Sequence, residues 1–135
     1  MSIWKSTSAF KEMPWGHEVL FSSPFGVSGK LIVLEGDKRL SLKYYERRDQ
    51  VLYCLKGKVC ILAPDEKEFG DFKTPNGNYF ELSEGETILI QHGNKYRIIG
   101  LEHSTLIEVL VGTCSNDDPP VRLEDDYGRV NRFNK

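Results

Sequence analysis

The amino-acid sequence predicts an all-β fold built from antiparallel strands, arranged as a sandwich or barrel. Apolar residues recur in short β-rich runs, and the runs are separated by Gly, Asn, Pro and acidic turn signals at close spacing. No long stretch holds a clean helical period, so helix is expected at most as a turn near either end.

Taken in chain order, the first expected strands are 19–21 and 30–34, with Glu35-Gly36-Asp37 as the turn that follows. Strands at 40–44 and 51–55 come next. The tripeptide Lys56-Gly57-Lys58 marks a tight hairpin into a strand at 59–62. The stretch from Pro64 to Asn78 is charged and punctuated by Gly and Pro, and reads as an extended hairpin or loop rather than a linker between domains. Strands follow at 79–82, 87–90, 96–99 and 105–111, with turns at Glu84-Gly85-Glu86 and His92-Gly93-Asn94. After a polar stretch at 115–120, Val121-Arg122-Leu123 resumes a strand-like pattern, and this tail is expected to pack back on the barrel.

The 135 residues are enough for one hydrophobic core and too few for two, so residues 1–135 are expected to form a single domain. Hydrophobic residues make up 39% and charged residues 28%, with a formal net charge of −2, a balance that fits a globular protein. Lys and Arg are scattered and matched by Asp and Glu, which argues against nucleic acid as a partner. Neither a signal-peptide core nor a membrane-length apolar run is visible, so a cytoplasmic location without membrane contact is expected. Cys54, Cys60 and Cys114 lack C-x-x-C spacing and read as reduced thiols rather than a zinc site.

Four segments in order carry a resemblance to a known family. They are Met13-Pro14-Trp15-Gly16, Arg39-Leu40-Ser41-Leu42, the strand Ser104 to Val109 containing Leu-Ile-Glu-Val, and Val121-Arg122-Leu123-Glu124-Asp125-Asp126-Tyr127-Gly128-Arg129. Together they make the chain similar to the C-terminal cupin domain of type II phosphomannose isomerases and mannose-1-phosphate guanylyltransferases. The resemblance implies an antiparallel double-stranded β-helix, a jelly-roll barrel with one pocket at its mouth.

It also implies where a metal would sit. The first cupin motif places His-x-His-x-x-Glu ahead of a Gly, and the second places another His after a Gly-rich turn. At those positions this sequence has Tyr45, Arg47 and Gln50 ahead of Gly57, and Tyr96 after Gly85 and Gly93. A guanidinium has no lone pair to give and would repel a cation. A neutral amide and two phenols with pKa near ~10 are poor substitutes for imidazole and carboxylate. The expectation is therefore a cupin with no metal and no cofactor.

Side chains alternate along a strand, so if Tyr45 and Arg47 point inward, Lys43 and Ser41 point inward too. The expected ligand-binding set is Lys43, Tyr45, Arg47, Gln50 and Tyr96, joined by Arg129 if the tail docks as it does in the family. Arg supplies a fork of donors for phosphate or carboxylate, Lys a point charge, and the phenols a stacking face. The opposing reading pairs Arg47 with Glu108 or Asp49 and fills the cavity with the tyrosines.

Other signals carry blander readings. His17, His92 and His103 are scattered, without a carboxylate at ligand spacing. Trp4 and Trp15 read as core or interface aromatics rather than sugar platforms. The acidic Glu124-Asp125-Asp126 is expected to pair with Arg122, Arg129 and Arg132. Phosphate-binding Gly motifs are absent from these residues, so the nucleotide-transfer chemistry of the longer members of the family it resembles is not expected here. A homodimer is expected, formed through edge strands or the apolar Trp4, Phe10 and Trp15 near the terminus.

Three functions stay open. The first is a metal-free cupin that binds a sugar phosphate or related small anionic carbohydrate. The second is a phosphosugar isomerase or epimerase of carbohydrate metabolism that works by proton transfer, with Tyr45, Tyr96, Lys43 or Glu108 as base. The third is a structural or interaction cupin with a plugged pocket; no catalytic residue is assigned.

Overall fold

A computed structural model describes residues 3–22, 26–64, 78–112 and 119–129. The described elements are eleven strands: β1 (Ala9–Met13), β2 (Gly16–Ser22), β3 (Val27–Leu34), β4 (Leu42–Tyr44), β5 (Arg48–Lys56), β6 (Lys58–Ala63), β7 (Asn78–Ser83), β8 (Thr87–Ile90), β9 (Arg97–Gly100), β10 (Ser104–Gly112) and β11 (Val121–Glu124). All pairings among them are antiparallel. The first strand, β1, is not expected from the sequence pattern, because Lys11 and Glu12 interrupt its apolar residues. No helix among the described residues is long and apolar enough to cross a membrane.

Six strands form one sheet in the order β1-β2-β3-β10-β5-β8. Facing it, β11-β4 and β7-β6-β9 are separate ladders that bridges Lys43↔Tyr96 and Arg39↔Ile99 stitch edge to edge. Two layers thus close around one core. Ile32, Leu34, Leu52 and Leu106 enter it from the six-stranded sheet, and Val59, Ile61, Leu82 and Ile98 from the other.

Trp15 is core, 2% exposed, at the turn between β1 and β2, which removes it from the expected dimer surface. Trp4 and Phe10 remain exposed. Cys54 and Cys60 are buried free thiols; Cys54 faces the core, Cys60 alternates with the core-facing Val59 and Ile61 on β6, and burial raises both thiol pKa values. Cys114, Arg132, residues 115–118 and all but the ends of the 64–78 stretch lie outside the described residues.

At the β5–β6 hairpin the chain must turn within one residue, and Gly57 does so at φ 86°. A Cβ there would lie 2.4 Å from Ser104 Oγ and 2.5 Å from the His103 carbonyl. The same turn seats Ser104 Oγ, which accepts from the Lys58 N–H at 3.0 Å.

Candidate functional site: a cationic mouth over a filled barrel

The pleat of the segment leading through β4 sends Ser41, Lys43 and Tyr45 into the barrel, and all three are buried. Across from them β3 contributes Lys30, β2 contributes Glu18 and β10 contributes Glu108. The tail adds Pro120, Arg122 and Arg129. These side chains line one cavity of about 30 Å³ at the end of the barrel. Four cations and two carboxylates therefore converge on a space the size of a water molecule.

Lys43 is the most perturbed of them. Burial lowers its pKa to about 7, with Lys30, Arg122 and Arg129 acting in the same direction and the Glu108 carboxylate opposing. Its ammonium lies 5.4 Å from the centre of the Tyr96 ring, a cation–π contact. Two neighbouring cations have carboxylate partners: Lys30 meets Glu18 at 3.3 Å, and Arg129 meets Asp125 at 2.8 Å.

Behind the cavity stand the buried side chains of Gln50, Glu108 and Tyr96. Gln50 Nε2 donates to Glu108 Oε2 at 2.5 Å, and both side chains are essentially inaccessible. Tyr96 is 1% exposed and Tyr45 5%. Burial, with the Glu108 charge close by, drives both phenol pKa values well above the ordinary range. Gln50 Oε1 and Glu108 Oε1 are buried with no hydrogen-bond partner among the described residues.

The six residues expected to bind ligand are thus sorted rather than gathered. Lys43, Tyr45 and Arg129 line the mouth cavity. Gln50 is buried behind it, and Tyr96 forms part of the wall of a separate open cleft. Arg47 does not line the cavity: it is exposed on the bend between β4 and β5. The alternation inferred from Tyr45 fails there because the strand ends at Tyr44 and the pleat restarts at Arg48.

The buried arginine is instead Arg48, whose Nη2 donates to Ser28 Oγ at 3.1 Å and to the Gly26 carbonyl at 3.3 Å. The two acids considered for Arg47 are engaged elsewhere: Asp49 accepts from the His92 backbone at 2.9 Å and meets its ring at 2.8 Å, and Glu108 takes Gln50. Glu18 and Lys30 join the site without any signal in the sequence pattern, and Arg122, expected as a partner of the acidic cluster, also lines the cavity. Lys30 and Glu18 could be found from the salt bridge that antiparallel neighbours permit, but only once the β2–β3 register is known.

The tail is clamped from the neighbouring β9 side of its own layer. Arg39 donates to both Asp126 oxygens at 2.7 and 2.8 Å, and Arg97 reaches Glu124 at 3.2 Å and Asp126 at 3.3 Å. Of the expected partners of the acidic cluster, Arg129 takes Asp125. The other acids are held by arginines distant in sequence.

The metal implied by the fold does not fit these residues. Arg47 is exposed on the bend, the Gln50 amide is engaged with Glu108, the two phenols resist ionisation, and the Lys43 cation lies against Tyr96. Among the described residues no three His, Cys, Asp or Glu side chains cluster as a metal site would need. His17 packs against Phe10 with ring centres 5.0 Å apart, and His92 pairs with Asp49.

A larger cleft of about 610 Å³ opens between the edges of the two sheets. Ile61, Phe80, Leu82, Ile88, Ile90 and Tyr96 form its apolar wall, with Lys95 and Glu86 among its polar residues. It opens between β7 and β8, which are consecutive in the chain but belong to different sheets, and nothing in the sequence pattern marks that parting.

No protein-family model matches the chain, and no curated protein matches it by sequence. Solved structures do. KdgF from Halomonas sp. superposes with a TM-score of 0.66 at 15% identity, covering 84% of this chain and 98% of that one. An RmlC-like cupin from Shewanella frigidimarina gives 0.63 at 12% identity, covering 82% and 87%. Oxalate decarboxylase from Bacillus subtilis gives 0.70 at 13% identity, over 86% of this chain and 30% of that longer one. At such identities the likeness is one of architecture, and the architecture is that of a cupin jelly-roll.

Proposed function

We propose that this chain is a metal-free cupin that binds a small anionic carbohydrate, most naturally a sugar phosphate, by its anionic group. We propose further that it lacks the metal-dependent activity of the phosphomannose isomerases its sequence resembles. The observation that carries the reading is the convergence of Lys30, Lys43, Arg122 and Arg129 on one cavity at the barrel mouth. A cavity of about 30 Å³ takes an oxyanion edge and not a sugar ring. Pockets that enclose whole ligands of drug size run to several hundred Å³, roughly 300–1,000. The ring of the ligand would therefore lie outside, against Pro120 and the guanidinium groups of the tail.

A second reading, a phosphosugar isomerase or epimerase, is favoured by one observation. Lys43 has its pKa near neutrality beside Glu108, which is what a general base at working pH requires. The small cavity weighs against it, since the carbon acid would have to reach an amine at the bottom of the mouth.

The test is thermal stability in the presence of inorganic phosphate, sugar phosphates, neutral sugars and divalent metals, because a ligand of the native state raises the transition with its occupancy. Sugar phosphates should raise the melting temperature without metal, and Arg129→Ala should weaken that response by ~10-fold or more in apparent affinity. Equal stabilisation by neutral sugars, or a response only when metal is added, would overturn the reading. Turnover of a sugar phosphate that Lys43→Met abolishes would favour the enzyme.

A further inference from the structure

Lys43 is a primary amine held inside the barrel, 7% exposed on the wall of the mouth cavity. Anion binding uses only its charge, and that charge is lost as pH rises through about 7. What remains is a desolvated amine with a lone pair, facing a space that admits a small group. Glu108 lines the same cavity from β10 and is 2% exposed, with Oε2 taken by Gln50. Its other oxygen, Oε1, has no hydrogen-bond partner among the described residues. A buried carboxylate oxygen that the packing does not use, close to an amine, is placed to relay protons.

We infer that Lys43 forms a covalent imine with a small aldehyde that carries a carboxylate. Lys30, Arg122 and Arg129 enter as they do in the anion-binding reading, on which this step rests for the grip on the carboxylate. Because they line the same cavity as Lys43, an anionic group they hold brings an adjacent carbonyl carbon to the amine. The small cavity selects the carbonyl: an aldehyde carbon bears only hydrogen and oxygen beside its chain and can enter, whereas a ketone or a carbon acid is flanked by chain on both sides.

The step balances without oxidant or reductant. The Lys43 nitrogen attacks the carbonyl carbon, a C–N bond forms, and the C=O π pair moves to oxygen. Glu108 Oε1 relays the two amine protons, one after the other, to that oxygen. It leaves as water while the nitrogen lone pair closes the C=N bond, and addition of water reverses the capture. The neutral amine is the nucleophile, so capture grows as pH rises through about 7, opposite in sign to the charge-dependent binding of phosphate.

The experiment incubates the full chain with glyoxylate and cyanoborohydride between about pH 6 and 8, and maps the reduced adduct by peptide mass spectrometry. A carboxymethyl group should appear on Lys43 ~10-fold or more faster than on surface lysines, which stay protonated in this range. Glycolaldehyde, similar in size but uncharged, should react ~10-fold or more slowly, and inorganic phosphate should compete with glyoxylate. Lys43→Met should remove the adduct while keeping the circular dichroism of the wild type, and the peptide map of the wild-type chain stands by itself if that variant fails to fold. Adducts spread over surface lysines with Lys43 unmodified, or equal capture of glycolaldehyde, overturn the inference. Stabilisation by sugar phosphates with Lys43 unmodified overturns the imine and leaves the anion site standing; a Lys43 adduct that phosphate does not slow keeps the imine and overturns the anionic substrate.

Discussion

Lys43 shows how a single side chain couples stability and ligand affinity to pH. In the unfolded chain its amine titrates near the ordinary lysine value of about 10.5, and in the barrel near 7. Between those values the unfolded state binds more protons than the native state, so stability contributed by this group rises as pH increases from about 7 toward 10.5. Below about 7 both states are protonated, and the native state holds a desolvated charge. Lys43→Met should therefore stabilise the protein at about pH 6, on the order of 2 kcal/mol, and flatten the rise above about pH 7. Denaturant unfolding at several pH values checks this, and an unchanged slope would show that the ammonium finds solvent. Phosphate binding should run the opposite way and weaken as pH rises through about 7, because Lys43 then loses its charge. The burial of this lysine was legible from the two-residue repeat that links it to Tyr45. The exposure of Arg47 was not, since one bend at Glu46 and Arg47 resets the pleat and no turn residue announces it.

At the scale of elements, turns and the docked tail decide where these side chains stand. Gly57→Ala forces a positive φ on a residue with a Cβ and pushes that Cβ into the Ser104–His103 backbone. A loss on the order of 2 kcal/mol is expected from strain and overlap together, read as a lowered midpoint in urea. The hairpin at Lys56-Gly57-Lys58 was legible because its chemistry is local. The docking of β11 on β4 was legible only as a resumed strand pattern, and its clamps were not: Arg39 and Arg97 are remote in sequence from Asp126. Since this tail carries Arg122 and Arg129 to the mouth, Asp126→Ala should weaken anion binding by several-fold although Asp126 does not line the cavity. Titration calorimetry with a sugar phosphate separates this from a local effect. A loss of affinity accompanied by faster proteolysis near residues 119–129 supports the clamp, and unchanged affinity argues that β4 holds the tail unaided.

At the scale of the whole molecule, a metal site is a property of convergence, and this barrel lacks convergence as well as ligands. The four motif positions fall just past β4, on the bend, on β5 and ahead of β9, and they can share a metal only if all four side chains turn to one point. Here Tyr45, Gln50 and Tyr96 turn inward and Arg47 is exposed, while Lys43 and the Gln50–Glu108 pair occupy the centre. Restoring the motif by Tyr45→His, Arg47→His, Gln50→Glu and Tyr96→His should therefore yield no stoichiometric manganese, iron or zinc after dialysis. Two reasons add. The imidazole introduced by Arg47→His would stand on the exposed bend, and Gln50→Glu would exchange the hydrogen bond to Glu108 for two carboxylates facing a lysine. Adding Lys43→Gln to the four substitutions removes the competing cation and should give at most weak, micromolar-range affinity, with the bend still out of place. Elemental analysis of both variants tests the account. Near-stoichiometric metal in the first would mean that the bend swings inward to complete the site, and that chemistry at the four positions alone separates this barrel from a metal-binding one.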